Sequence, residues 1–124
     1  MTVIPFPGTA PGGPVVLRPE VADLLHGLGY VYLRHGRPKR AAVLLMLAAR
    51  GETPPRGDVL RTLAAALIAC GLGPQALETL DAAAAAEPAL ARHPMMGLMR
   101  ARALLLAGRV EEARLAFRES RRAA

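Results

Sequence analysis

The side chains that could carry out chemistry are few and widely spaced. The histidines are His26, His35 and His93, and Cys70 is the one cysteine. No two histidines are four residues apart and no acidic residue completes a ligand set, so the pattern does not predict a metal site. Cys70 lies in an Ala/Leu/Ile-rich segment without a basic neighbour, which is typical of a structural thiol. No glycine pair follows a predicted strand to form a phosphate loop. We therefore expect no enzyme, no catalytic residue, no metal and no cofactor.

The composition indicates one small helical domain. The chain has 124 residues, of which 52% are hydrophobic but only 3% aromatic, so Leu, Ala, Met and Val must fill the core. Leu and Ala favour helices, whereas the residues that favour strands are sparse. The start has no basic segment followed by an apolar one, and the longest apolar run, Ala41 to Ala49, is too short to span a bilayer. With a single cysteine, these features predict a soluble cytoplasmic protein without membrane insertion.

The net charge of +6 raises the question of an acidic partner. Seven of the fifteen arginines fall between Arg100 and Arg122. The last predicted helix begins with acidic residues, from Glu111, and ends with arginines, at Arg122, as the helix dipole favours. Few aromatic residues are available to stack on bases, so nucleic-acid binding is not expected. An acidic protein surface remains open as a partner for this helix.

Proline and glycine divide the chain into an arm and six predicted helices. Residues 1–19 contain five of the eleven prolines, so we predict an extended or disordered N-terminal arm. From Glu20 onward, helical spacing is interrupted by five short Gly/Pro breaks. The breaks are Gly36–Pro38, Gly51–Gly57, Gly71–Pro74, Glu87–Pro94 and Ala107–Arg109.

The helical part repeats internally. A shift of 35 residues aligns the first copy with the second, and a further shift of 37 reaches the third. The aligned sets are Gly29, Tyr32, Gly36, Ala41, Leu45 and Ala48, then Ala64, Leu67, Gly71, Ala76, Leu80 and Ala83, then Ala101, Leu104, Gly108, Ala113, Phe117 and Ser120. Small residues at fixed positions indicate close helix crossings, and the repeated glycines indicate left-handed turns that end the first helix of each copy.

This spacing resembles the tetratricopeptide repeat. The resemblance implies an all-α fold of three helix hairpins in a short right-handed solenoid over residues 20–124. The repeats cover about 20–53, 56–88 and 93–124. The sequence shows no polar capping helix after the third repeat, so we expect marginal stability without a partner. For the arm, three roles remain open: a flexible tail, a strap over the binding groove, or part of the partner site.

In tetratricopeptide stacks the first helix of each pair lines the concave side. The register then predicts a largely apolar groove with a few arginines, which implies a protein partner that buries an amphipathic helix or an extended peptide there. The predicted groove comprises Asp23, His26, Tyr30, Leu33 and Arg34, then Arg61, Ala65, Ile68 and Ala69, then Met95, Leu98, Arg102, Leu105 and Leu106.

The order of motifs is similar to the YscY (SctY) branch of small type III secretion chaperones. The similar segments are Leu24–Ala41, Leu44–Leu45 and Arg61–Leu67. The resemblance implies a bacterial cytoplasmic chaperone that binds and solubilises a small secreted export component of the YscX (SctX) kind, in a hetero-oligomer, and helps to deliver it to the export gate. Alternatives are a needle-subunit or translocator chaperone of the same system, a generic repeat adaptor, and a regulatory or RNA-linked adaptor whose binding would collapse as salt rises.

Overall fold

Three consecutive helix hairpins make up the part of the chain that the computed structural model describes, residues 16–123. The described residues form no strand, and the all-α prediction of a tetratricopeptide-like solenoid with six α-helices is confirmed. The α-helices are α1 (Pro19–Arg34), α2 (Pro38–Arg50), α3 (Gly57–Ala69), α4 (Gly73–Ala86), α5 (Pro94–Leu106) and α6 (Val110–Ala123). Helix pairs α1/α2, α3/α4 and α5/α6 are hairpins one, two and three.

The predicted N-terminal arm falls mostly outside the described residues. Residues 1–15 are not among them, whereas residues 16–18 carry neither helix nor strand and α1 begins at Pro19. Leu17 fastens this short stretch to hairpin one, because its N–H donates a 3.0 Å hydrogen bond to the carbonyl of Gly51.

Glycine ends the first helix of each hairpin in the same way. Gly36, Gly71 and Gly108 have φ angles of 73°, 78° and 79°, in the left-handed region that glycine adopts without strain. The residue after each glycine donates its N–H to a carbonyl five positions back; the Arg37 to Tyr32 and Arg109 to Leu104 bonds are both 2.9 Å. This pairing satisfies carbonyls that the helix end would leave unbonded. The predicted turns are confirmed.

Small residues lie where the two helices of a hairpin cross. A Cβ on Gly29 would lie 2.7 Å from Cγ of Leu45, so only glycine lets α2 approach α1 this closely. Alanine occupies the equivalent positions of the other hairpins, Ala64 and Ala101, and both are buried. Around these crossings one hydrophobic core runs from α2 to α6. The short distances between backbones explain why a core poor in aromatic residues can still be filled.

Between hairpins two and three the sequence predicted only a break, but the structure has a turn of 3₁₀ helix at Pro88–Arg92. Its Leu90 is buried and its Pro88 lies at the first position, where the missing N–H costs little. A five-residue segment is too short for helical periodicity to show in the sequence. The burial of Leu90 anchors this connection to the core.

Polar contacts tie the hairpins to one another. Arg56 Nη1 donates a 2.6 Å hydrogen bond to Oδ1 of Asp23 on α1, and Arg56 Nε lies 3.4 Å from Oδ1 of Asp58 on α3. The hydrogen bond to Asp23 raises the pKa of Arg56 above its usual value. Arg100 on α5 donates a 2.6 Å bond to Asp81 on α4. These groups are all partly exposed, so each pair contributes at most about 1 kcal/mol and mainly fixes the orientation of neighbouring hairpins.

Cys70, the residue that caps α3, is expected to alkylate slowly. Burial raises the pKa of its thiol, and Lys39 offsets this only in part. Since the thiolate is the reactive form, the folded protein should react with iodoacetamide several-fold more slowly than the unfolded protein at about pH 7.5. The rate should still be rising at the pH where the unfolded chain's rate levels off. Mass spectrometry of time courses with and without guanidinium measures both, and equal rates in the two states would contradict the partly buried position of the thiol.

Candidate protein-binding surfaces

The predicted groove residues do not all lie on one exposed surface. Exposed positions are Asp23, Tyr30, Arg34, Arg61, Ala69, Met95, Arg102, Leu105 and Leu106. Half-buried positions are His26, Leu33, Ala65 and Leu98, and Ile68 is buried. The first helices α1, α3 and α5 lie beside one another, so the exposed members form a strip across the three hairpins.

Ile68 is not part of this strip, and the prediction that it lines the groove is wrong. Its side chain is 5% exposed and belongs to the core, because hairpin three packs over this face of hairpin two. Leu33 is the equivalent residue in hairpin one and is half-buried. The third equivalent, Leu105, is 60% exposed. One repeat position therefore contains a half-buried, a buried and an exposed residue in the three hairpins.

His26 has a structural contact in the junction between hairpins one and two. Its Nε2 is 2.9 Å from Oγ1 of Thr62, and that hydroxyl donates to the carbonyl of Asp58 at 3.1 Å. Because the hydroxyl hydrogen is engaged, the imidazole N–H is the donor to Thr62. His26 thus links α1 to α3, and any contact with a partner would use only the rest of its ring.

We call the exposed residues Tyr30, Arg34, Arg61, Met95 and Leu106 the first-helix surface. The Arg34 guanidinium lies 6.0 Å from the centre of the Tyr30 ring, within the range of a cation–π contact. Tyr30 and Met95 are each about half exposed, at 49% and 50%. Within residues 16–123, neither Arg34 nor Arg61 forms an ion pair. The surface thus combines apolar area with positive charge that is free to meet an acidic group.

A second surface lies at the C-terminal end of the stack, between α5 and α6. It is an open groove of about 480 Å³, which we call the C-end groove. Its lining is mostly apolar, with two arginines. The lining residues are Leu98, Ala101, Arg102 and Leu105 from α5 and Val110, Ala113, Arg114 and Phe117 from α6.

The groove on hairpin three brings together Leu98, Arg102 and Leu105 of the predicted set with α6 residues that the sequence analysis did not include. Phe117 is the main one, and it is 45% exposed. Its aligned equivalents Leu45 and Leu80 are both fully buried. The repeat alignment of Phe117 with Leu45 and Leu80 was the signal in the sequence that could have pointed to this face, because a residue buried in two hairpins is exposed in the third.

The opposite end of the stack has a similar opening, which we call the N-end groove. It measures about 400 Å³ and lies between α1 and α2. Leu28 and Val43 contribute apolar surface, and Lys39 and Arg40 are its charged lining residues. In hairpin two the residue equivalent to Leu28 is Leu63, which is fully buried. The first hairpin thus also exposes a face that is covered elsewhere in the stack.

Among residues 16–123 no three His, Cys, Asp or Glu side chains are grouped so that they could hold a metal ion. The helices there are also too short or too polar for any of them to cross a membrane.

Comparison with solved structures identifies the architecture. The solved structure "MamA R50E mutant", of a TPR-like protein, superposes with a TM-score of 0.73 and covers 86% of this chain and 74% of that chain. The fold is of the tetratricopeptide type. The two sequences are 23% identical, so this similarity concerns the fold alone. No protein-family model matches the chain, and no match is found among curated protein sequences.

Proposed function

We propose that this chain is a protein-binding repeat module that holds an amphipathic segment of another protein on its first-helix surface. The observation that carries the proposal is the exposure of large apolar side chains along α1 and α5. Tyr30 and Met95 are half exposed, and Leu106 is 48% exposed. In a tetratricopeptide stack these helices line the concave side, and an apolar strip there favours burial of a partner.

Charge favours a partner with acidic groups beside its apolar face. Arg34 and Arg61 belong to successive first helices and are both exposed. The one carboxylate of the predicted groove, Asp23, is already bonded to Arg56 at 2.6 Å. Partner carboxylates beside the two arginines would be attracted without displacing an internal pair. Apolar burial would supply most of the affinity and the arginines would fix the orientation.

Within that class, we propose a cytoplasmic type III secretion chaperone that binds a small secreted component of the SctX kind. The support is the similarity of Leu24–Ala41 and Arg61–Leu67 to the SctY branch, together with three repeats and an apolar first-helix surface. A needle-subunit or translocator chaperone would use the same surface, as would a generic adaptor. Assay of each candidate partner separates these alternatives.

The test is co-expression with SctX-like, needle-subunit and translocator proteins, followed by affinity purification and thermal unfolding. One partner should co-elute, raise the melting temperature and remain bound as salt rises, because apolar burial dominates. Tyr30→Glu and Leu106→Glu should each reduce co-elution strongly, since a buried carboxylate would face apolar atoms. Both side chains are about half exposed, so the free protein should keep its fold.

Leu115→Glu provides the matched control. Leu115 is 57% exposed on α6 and is not part of the first-helix surface, so its replacement should leave the partner bound. Full binding by the Tyr30 and Leu106 variants would refute the first-helix surface. Failure of every secretion protein to co-elute would refute the chaperone assignment, and binding seen only at low salt would favour an electrostatic adaptor.

A further inference from the structure

The C-end groove points to a second binding site, separate from the first-helix surface. We propose that it docks an amphipathic α-helix of a partner protein, with an apolar stripe against Phe117 and Leu105 and carboxylates opposite Arg102 and Arg114. The inference does not depend on the chaperone assignment or on the first-helix surface. It rests on what covers the same face in hairpins one and two, and on the charges that are particular to hairpin three.

Both internal junctions cover this face with a helix. In hairpin two, Ala76 and Leu80 are fully buried, and a Cβ on Gly73 would lie 2.6 Å from the carbonyl oxygen of Ala103 in α5. In hairpin one, the equivalent Leu45 is fully buried in the same core, and α3 packs against α2. The structure thus shows twice that the occupant of this face is a helix carrying an apolar stripe. A helix in the C-end groove would make the same kind of contact.

The charged residues of the C-end groove indicate which side chains the docked helix must have. Arg114 occupies the position of Ala42 and Leu77, which are 7% and 8% exposed at the two junctions. A cover that followed the internal pattern would therefore bury the Arg114 guanidinium. Removing a cation from water is unfavourable unless a carboxylate pairs with it. The occupant must present acidic residues at the edge of its apolar stripe.

The ion pairs within the chain leave Arg102 and Arg114 available to partner carboxylates. Arg114 Nη1 is 3.4 Å from Oε1 of Glu111, and both side chains are mostly exposed, so this pair is loose. Arg102 forms no ion pair with any residue between 16 and 123. Two guanidinium groups therefore flank the apolar floor. Bidentate pairing with carboxylates would fix the helix in one register.

A second copy of this chain fits the groove less well. Head-to-tail stacking would place the N-end groove of one copy against the C-end groove of the next. The charged residues that line the N-end groove are Lys39 and Arg40, and those of the C-end groove are Arg102 and Arg114. Like charges on both sides oppose such stacking. An acidic helix is therefore the better match than another copy.

Fluorescence anisotropy with designed peptides tests the proposal on the full chain. The probe is a fluorescein-labelled helical peptide of about twenty residues with leucines at helical spacing and glutamates on both edges of the stripe. Its comparison peptide has glutamine in place of every glutamate. The acidic peptide should bind about tenfold more tightly than the glutamine peptide. The double variant Arg102→Gln, Arg114→Gln should bind both peptides with equal affinity.

Phe117→Glu tests the floor of the groove and should abolish binding of the acidic peptide. Leu115→Glu, on the same helix but outside the groove, should leave it unchanged. Circular dichroism checks that each variant is folded. Equal affinity of the two peptides for the unaltered protein, no binding of either, or full binding to Phe117→Glu would overturn the proposal. So would dimers in analytical ultracentrifugation that Phe117→Glu abolishes, because a second copy would then occupy the groove.

Discussion

Leu80→Ala is expected to lower the free energy of unfolding by about 2 to 5 kcal/mol, the usual range for a fully buried leucine. Leu80 is 0% exposed, and its removal would leave a cavity between hairpins two and three. Phe117→Ala alters the aligned position of hairpin three, where the ring is 45% exposed, and should cost less than about 1 kcal/mol. Urea unfolding followed by circular dichroism measures both values.

Leu80 and Phe117 occupy the same repeat position. The two variants therefore differ mainly in whether another hairpin packs over the altered side chain. A loss for Phe117→Ala as large as that for Leu80→Ala would mean that the C-end groove is covered in solution. Repeating the measurement over a range of protein concentrations would then show whether a second copy covers the groove. If it does, the loss of unfolding free energy for Phe117→Ala would grow with protein concentration.

Gly73→Ala is expected to loosen the docking of hairpin three onto hairpin two. The new Cβ would lie 2.6 Å from the carbonyl oxygen of Ala103 and 2.8 Å from the amide nitrogen of Ala107. Both are backbone atoms, so no side-chain rotation relieves the overlap and the hairpin must shift. We expect a loss of about 1 to 3 kcal/mol or more, as for overpacked cores. Hydrogen exchange should accelerate in α5 and α6 more than in α1 and α2.

Gly27→Ala is the matched control for the same chemical change. Gly27 lies in α1, is exposed, and has no neighbouring atom within 4 Å of the added Cβ. Alanine is the better helix former, so this variant should gain about 0.5 to 1 kcal/mol. Two glycine-to-alanine changes should thus have opposite signs. A neutral effect of Gly73→Ala would contradict the close approach of α5 to α4.

The two proposed binding surfaces meet on α5. Met95 and Leu106 belong to the first-helix surface, whereas Leu98, Arg102 and Leu105 line the C-end groove. A partner with two helices could therefore contact both surfaces at α5. The Tyr30 and Phe117 variants lie on different surfaces, so they report on the two sites separately.

Several features of the protein were determined by the sequence itself because local physical chemistry decides them. Helical spacing of Leu and Ala and the Gly/Pro breaks predicted six helices, and all six are present. A glycine at a helix end predicts a left-handed turn because other residues adopt that conformation at a cost, and Gly36, Gly71 and Gly108 have it. Gly29, Ala64 and Ala101 marked the close crossings because larger side chains would hold the helices apart.

Exposure was decided only by the tertiary structure. Leu33, Ile68 and Leu105 occupy one repeat position, yet Ile68 is buried by the next hairpin and Leu105 remains open. Periodicity identifies the apolar face of a helix but not the element that lies over it, since that depends on stacking between residues far apart in the chain. For the same reason, the alignment of Phe117 with Leu45 and Leu80 did not predict the groove that Phe117 lines. Which apolar faces stay uncovered, and which arginines flank them, follows from the stacking of the three hairpins.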